Sequence, residues 1–191
     1  MTTAAEVQSY FRSHYAGGGW WYIDKFKPAI ALVGAERDSQ KLNYESTKNW
    51  SNGSTHTLGL YGELVFSLET GLKMDLTLRK AGDGGRDFVY DGKTYAVKTT
   101  QYWQDPHLKE YPNPKRWCDF YILCAVDIRS SMAMVSGWAT QDEMRFARKS
   151  NYGNGPMLSI ACSNMGADRQ FIPPELPRTR QLLHILETQG L

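Results

Sequence analysis

Asp91-Gly92 most narrows what this chain can fold into, because the dipeptide stands between two β-rich runs, residues 87–90 and 93–100. A two-residue hairpin turn needs positive φ at its centre. Gly adopts that conformation freely and Asp tolerates it, so Asp-Gly between strand formers predicts a tight β-hairpin. The turn also sets the register. With Asp91 and Gly92 at the tip, Tyr90 lies opposite Lys93, and Asp87 lies opposite Ala96. Directly opposed Cβ atoms sit about 4.5–5.5 Å apart. Strand alternation puts Ala96 and Lys98 on one face, and Tyr95, Val97 and Thr99 on the other. Asp87, the small Ala96 and the Lys98 amine are therefore expected on one surface. An Asp and a Lys sharing a sheet face most often form a solvated cross-strand pair, so this geometry alone does not make a site.

Periodicity supplies the elements around the hairpin. Residues 2–15 predict a helix, with Thr2 or Thr3 as cap and Val7, Tyr10, Phe11 and Tyr15 at helical spacing. Gly17, Gly18 and Gly19 end it. This triplet lacks the Lys-Ser/Thr tail of a phosphate-binding loop and reads as a hinge. Residues 20–38 show no clear pattern, and residues 40–50 predict a short helix. Residues 58–72 predict another, with Leu60, Tyr61, Leu64, Val65 and Leu68 on one broad face and Gly71 as its stop. Met74, Leu76 and Leu78 alternate with Asp75, Thr77 and Arg79 as in a strand, and a Gly-rich turn over 82–85 follows. The apolar run 120–126 predicts a buried central strand, and residues 133–138 predict a further one. Thr140 with Glu143 is a capping box that starts a helix at Gln141. Residues 151–156 read as loop, Pro173, Pro174 and Pro177 mark another, and residues 178–189 predict a last helix. The order implies an α/β domain with one mixed central β-sheet flanked by helices. No linker divides the 191 residues, so a single domain is expected.

Charge narrows the partners. The net charge is +2, from 22 basic and 20 acidic residues. A protein that coats DNA electrostatically is usually more basic, so nucleic-acid binding has to come from a local patch. Cys118, Cys124 and Cys162 are odd in number and have no metal-binding spacing, which suits buried free thiols in a reducing compartment. No charged head precedes an apolar run, and no stretch approaches the roughly 18 apolar residues of a membrane span. The expectation is a soluble, cytoplasmic protein without a membrane partner, in keeping with a phage or mobile-element origin.

The run Gly82-Asp83-Gly84-Gly85-Arg86-Asp87, the hairpin, and then Val97-Lys98-Thr99-Thr100 resemble the core of the PD-(D/E)XK nuclease superfamily. That pattern has an Asp at the start of one strand and an Asp/Glu-x-Lys on its partner, and an upstream helix often supplies a Glu. Gly62-Glu63 lies on such a helix here. The resemblance covers roughly residues 58–140 and implies a restriction-endonuclease-like core. It implies a metal-dependent deoxyribonuclease: Asp87 on a Mg²⁺ or Mn²⁺ ion, Glu63 and the Val97 carbonyl as further ligands, and Lys98 orienting the attacking water or stabilising phosphorane charge. DNA is the implied partner, and enzymes that cut both strands often work as homodimers.

One position departs from the pattern. Ala96 stands where the second carboxylate belongs. Phosphodiester hydrolysis needs a hard cation to polarise the phosphoryl oxygen and to lower the pKa of a water. Mg²⁺ is held by oxygen ligands, commonly one or two carboxylates with phosphate and water. Removing a carboxylate weakens that shell and leaves Lys98 less neutralised, so little or no cleavage is expected of the chain as it stands. An introduced alanine and a natural loss or relocation of the ligand both fit. Asp83 lies in the Gly-rich turn and suits a turn-forming role there.

Further residues are candidates for holding DNA. Thr99, Thr100, Gln101 and Tyr102 follow the strand, where they either meet phosphate and base edges or simply end the strand and pack. Lys109, Lys115 and Arg116 are interleaved with Tyr102, Trp103, Tyr111 and Trp117 in a presumed loop, a mixture suited to backbone contacts and base stacking. A solvated loop over an aromatic core fits them as well. Arg145, Arg148 and Lys149 fall near the end of the helix after Thr140, where cations are favoured in any case. Two other classes of function stay open: a non-catalytic DNA- or protein-binding member of the same fold, and a regulatory or structural protein with no nucleic-acid affinity.

Overall fold

In the computed structural model, residues 20–42, 54–76, 85–102, 104, 106–113, 117–151, 155–165, 172–173 and 175–176 are described. The helices expected over 2–15 and 178–189, the hinge at Gly17–Gly19, residues 43–50, Leu78 and Arg79, and the candidates Lys115 and Arg116 lie outside them.

The apolar run forms a strand over Phe120–Asp127, buried at every position but the last. A strand buried along its whole length needs cover on both faces of its sheet, and this requirement organises the described fold. The strands of the main sheet are β1 (Trp20–Tyr22), β2 (Phe88–Tyr90), β3 (Lys93–Thr100), β5 (Phe120–Asp127) and β6 (Met132–Thr140). Their order is β1-β6-β5-β3-β2, which puts β5 at the centre. β3 and β5 run parallel, from Tyr95 opposite Phe120 to Thr100 opposite Ala125. The other pairs are antiparallel, so the sheet is mixed.

Helix α1 (Lys27–Leu42) and helix α2 (Ser54–Thr70) belong to one side of this sheet. Leu60, Tyr61, Leu64, Val65 and Phe66 of α2 share a core with Tyr95, Val97, Ile122, Cys124 and Val126. Gly71 follows α2 with φ of 74°, and its N–H donates to the Ser67 carbonyl at 2.7 Å, so it is the expected stop. The other side carries a second, three-stranded sheet made of β4 (His107–Glu110), β7 (Arg148–Asn151) and β8 (Pro156–Ala161), in the order β4-β8-β7. Leu108 and Leu158 from it share a second core with Ala96, Tyr121, Leu123 and Met144.

Several expectations are corrected. The described residues form two sheets rather than one, because β4 arises where a loop was expected and β7 and β8 pair antiparallel. The helix after Thr140 is short: α3 covers Gln141–Phe146, and Arg148 and Lys149 belong to β7. Its capping box is present as expected, with the Thr140 hydroxyl accepting the Glu143 N–H at 3.3 Å and Glu143 Oε2 accepting the Thr140 N–H at 2.8 Å. Met74, Asp75 and Leu76 are irregular, so the described part of the expected strand is absent. Residues 20–38, which gave no pattern, hold β1 and most of α1, whose Pro28 sits in the first turn where its missing N–H costs nothing. Among the described residues, no helix is long and apolar enough to cross a membrane.

Candidate functional site at the hairpin

Asp91 and Gly92 have φ of 47° and 72°, the positive values the two-residue turn requires. Tyr90 pairs with Lys93 and Phe88 with Tyr95, the expected register. Pairing ends at Phe88, and the side chain of Asp87 takes over from the departing strand. Its Oδ2 accepts the Val97 N–H at 2.6 Å, while the Asp87 N–H donates to the Tyr95 carbonyl at 3.0 Å. A hydrogen bond to an ionised carboxylate is short and strong, so Asp87 is fixed against the main chain of the strand that carries Lys98. The N–H and C=O of one strand residue leave on the same side, which turns the Val97 carbonyl toward this edge too.

The faces of β3 also follow the expected alternation. Tyr95 and Val97 join the helix-side core, and Ala96 joins the core beneath the small sheet. Lys98 leaves β3 on that second side, where its Nζ lies 2.7 Å from Glu110 Oε2, with the two side chains only 29% and 12% exposed. Strand alternation in β4 explains the partner. Leu108 and Glu110 point inward, so Leu108 shares the core of Ala96 while Glu110 meets Lys98. Sequence reasoning missed Glu110. Its only signal was the alternation of a four-residue strand, His107–Glu110, and the fact that this strand lies over β3 is not written in any local pattern.

Cys118 adjoins the same groups. Its Sγ donates to the Gly85 carbonyl at 3.3 Å, and its N–H donates to the Tyr121 hydroxyl at 3.1 Å. Burial pushes its thiol up to about 11, and the negative charge of Asp87 adds to the shift. A Thr94 hydrogen bond and the cations of Lys98 and Arg86 oppose it. Burial likewise raises the Tyr121 hydroxyl to about 12. Neither is poised to act as a nucleophile or base near neutral pH.

The remaining candidates are dispersed. Glu63, half-buried, follows Gly62, where α2 packs closely on Val97 and Thr99; it therefore belongs to the helix side of the sheet, opposite Lys98. Thr99 Oγ1 is buried against α2 with no hydrogen-bond partner. Thr100 Oγ1 accepts the Tyr102 N–H at 3.0 Å and shapes the end of the strand. Gln101 and Tyr102 are exposed. Lys109 is half-buried on the outer side of β4. Arg145, on α3, lies 5.2 Å from the centre of the Trp117 ring.

Ala96 is 0% exposed, enclosed in a core that includes Leu108, Cys118, Tyr121 and Leu123. The pattern's second carboxylate position thus offers a buried methyl, and the carboxylate nearest to Lys98 is engaged by it. Among the described residues, no three His, Cys, Asp or Glu side chains come together as a metal-binding group. The donor set as it stands does not fit a Mg²⁺ or Mn²⁺ centre, which needs a shell of oxygen ligands including one or two available carboxylates. Comparison with protein-family models, with curated proteins and with solved structures finds no match.

Proposed function

We propose that this domain belongs by design to the metal-dependent deoxyribonucleases, and that the chain carrying Ala96 holds DNA without hydrolysing it. One observation carries the reading: the Asp87 carboxylate is bound at 2.6 Å to the Val97 N–H. It is thus pinned beside the strand whose next residue is Lys98, an acid and an amine held on adjacent stretches of backbone. The parallel pairing of β3 with a buried central β5 also supports it, because a rigid sheet positions such groups better than a loop.

Two observations favour the second reading, a recognition protein on the same fold. Ala96 is sealed under Leu108, and Lys98 is already neutralised by Glu110. In that reading alanine is the residue the packing requires.

Cleavage of supercoiled and linear DNA, with Mg²⁺ and with Mn²⁺, separates the two when this chain is compared with Ala96→Asp and Ala96→Glu. An unpaired carboxylate at the buried position costs about 1–3 kcal/mol or more, so both variants should melt lower without metal. In the nuclease reading Mg²⁺ restores their melting temperature, a restored form cuts, and Asp87→Asn in that form abolishes cutting. Cutting undiminished by Asp87→Asn would remove Asp87 from the chemistry. If neither variant cuts or responds to Mg²⁺ while all forms bind DNA, the domain is a recognition protein.

A further inference from the structure

The pair between Lys98 and Glu110 joins two sheets that share no strand. Lys98 belongs to β3 of the main sheet, and Glu110 ends β4 of the small one. Its surroundings are largely apolar. Ala96 and Lys98 leave β3 on one side, and their register partners on β5, Tyr121 and Leu123, lie in the core that Leu108 of β4 also enters. Both oxygens of the carboxylate are engaged: Oε2 lies 2.7 Å from Lys98 Nζ, and Oε1 accepts the Tyr111 N–H at 2.7 Å. Glu110 is thus held by its own strand, with its second oxygen on the amine of the other sheet. Packing does not require this arrangement. An ion pair so little exposed loses in desolvation much of what it gains by attraction, and an apolar pair of the same size would hold the sheets together as well or better. What the charges add is exchange, since an ammonium can trade one oxyanion for another.

We propose that Glu110 is an internal competitor for Lys98: its carboxylate occupies the amine that a DNA phosphate would take, so β4 and a phosphate exclude each other from that face of β3. The inference rests on the reading of the domain as a DNA-acting protein and adds how its site is closed and opened. Carboxylate and phosphate are both oxyanions that accept from a lysine ammonium. Two of them on one mostly enclosed amine repel each other at short range, where solvent and salt screen poorly. A phosphate that binds Lys98 therefore selects molecules in which β4 has moved away. Its apparent affinity is lowered according to how rarely that state is populated. The coupling is reciprocal: the factor that closure of β4 takes from DNA binding is the factor that DNA takes from closure. A pair that only supports the structure predicts neither effect.

Hydrogen exchange of the full parent chain, with and without a saturating DNA duplex at about 50 mM KCl, reads the first consequence and needs no variant to fold. Amides of β4 should exchange about 5- to 150-fold faster with DNA bound, the usual range of such couplings, although a ligand ordinarily protects what it covers. Fluorescence anisotropy of a labelled duplex reads the second. Glu110→Gln, which keeps an oxygen for the Tyr111 N–H, should tighten binding by the same factor. Asp91→Asn removes one negative charge from the exposed turn, where Asn-Gly serves as well as Asp-Gly, and should bind as the parent does. DNA that binds yet leaves β4 as protected as before, or more so, would overturn the competition while leaving the DNA reading intact. Parent-like affinity in Glu110→Gln would do the same, and so would an equal gain in Asp91→Asn, which would trace the effect to net charge. No binding by the parent chain at low salt would overturn both.

Discussion

Thr94 and Asp119 hold each other from both sides. Asp119 Oδ2 accepts the Thr94 N–H at 2.8 Å and the Thr94 hydroxyl at 2.7 Å, while the Asp119 N–H donates to Thr94 Oγ1 at 3.0 Å. The clasp sits one residue before Tyr95 pairs with Phe120, so it helps fix the register of the parallel strands that carry Lys98. The Thr94 hydroxyl, and after it the Thr94 amide, hold the Asp119 carboxyl below its ordinary value of 3.8, with burial opposing them. A carboxyl lowered by folding stabilises the native state above the unfolded pKa and loses that contribution as pH falls through the folded one. The clasp is therefore fully effective at neutral pH and fails on acidification below about pH 4. Thr94→Val should return the Asp119 titration, followed by NMR, toward its ordinary value. Because Asp119 is exposed, the loss at pH 7 should be only about 0.5–1 kcal/mol, and the acid limb of the melting curve should flatten. An unmoved Asp119 titration would show that Thr94 does not hold it.

At the scale of elements, the contact of α2 with β3 is set at Gly62. A Cβ built on Gly62 collides with Thr99 Oγ1 and lies 3.2 Å from Val97 Cγ1, so the helix approaches the strand as closely as it does only because residue 62 has no side chain. Gly62→Ala should cost about 1–3 kcal/mol by overpacking, read as a lower denaturant midpoint. Thr99→Val replaces a buried, unpartnered hydroxyl with a methyl and should be neutral or stabilising, with DNA affinity unchanged. Loss of affinity would return Thr99 to the nucleic-acid surface. The elements legible in the sequence are those with a strong local cause: Asp91-Gly92 for the hairpin, Thr140 with Glu143 for the cap of α3, Gly71 for the end of α2, and the apolar run for β5. The small sheet was not legible. Arg148-Lys149-Ser150-Asn151 has no apolar alternation, because an edge strand of so short a sheet needs none. For the site, Asp87 beside β3 and the shared side of Ala96 and Lys98 followed from the turn alone. Glu110 did not, since its place depends on how one sheet lies on another.

The described residues are built around a main sheet covered differently on its two faces, and this asymmetry separates scaffold from candidate site. The helix side is a continuous apolar core in which Phe66 meets Phe88 edge-on at 4.9 Å and Tyr95 stacks on Phe120 at 5.2 Å. Among the described residues, the other face is covered by three strands of four to six residues and by α3, with Leu108 and Leu158 of the strands and Met144 of α3 in the shared core. Short strands with little apolar cover are the part of a domain that opens first. Leu108 bears most directly on that opening, because it is wholly buried in the core of Ala96 and sits two residues before Glu110. Leu108→Ala should cost about 2–5 kcal/mol through the cavity it leaves. The loss should also be local: amides of β4, β7 and β8 should exchange faster by the corresponding factor, while those of α2 and β5 stay protected near the parent's level. If all amides lose protection together, the two cores unfold as one unit, and the small sheet is no separate cover over Ala96 and Lys98. If only the small sheet opens, access to that face of β3 depends on the stability of the cover, and both the buried Ala96 and the Lys98–Glu110 pair become reachable in the opened form.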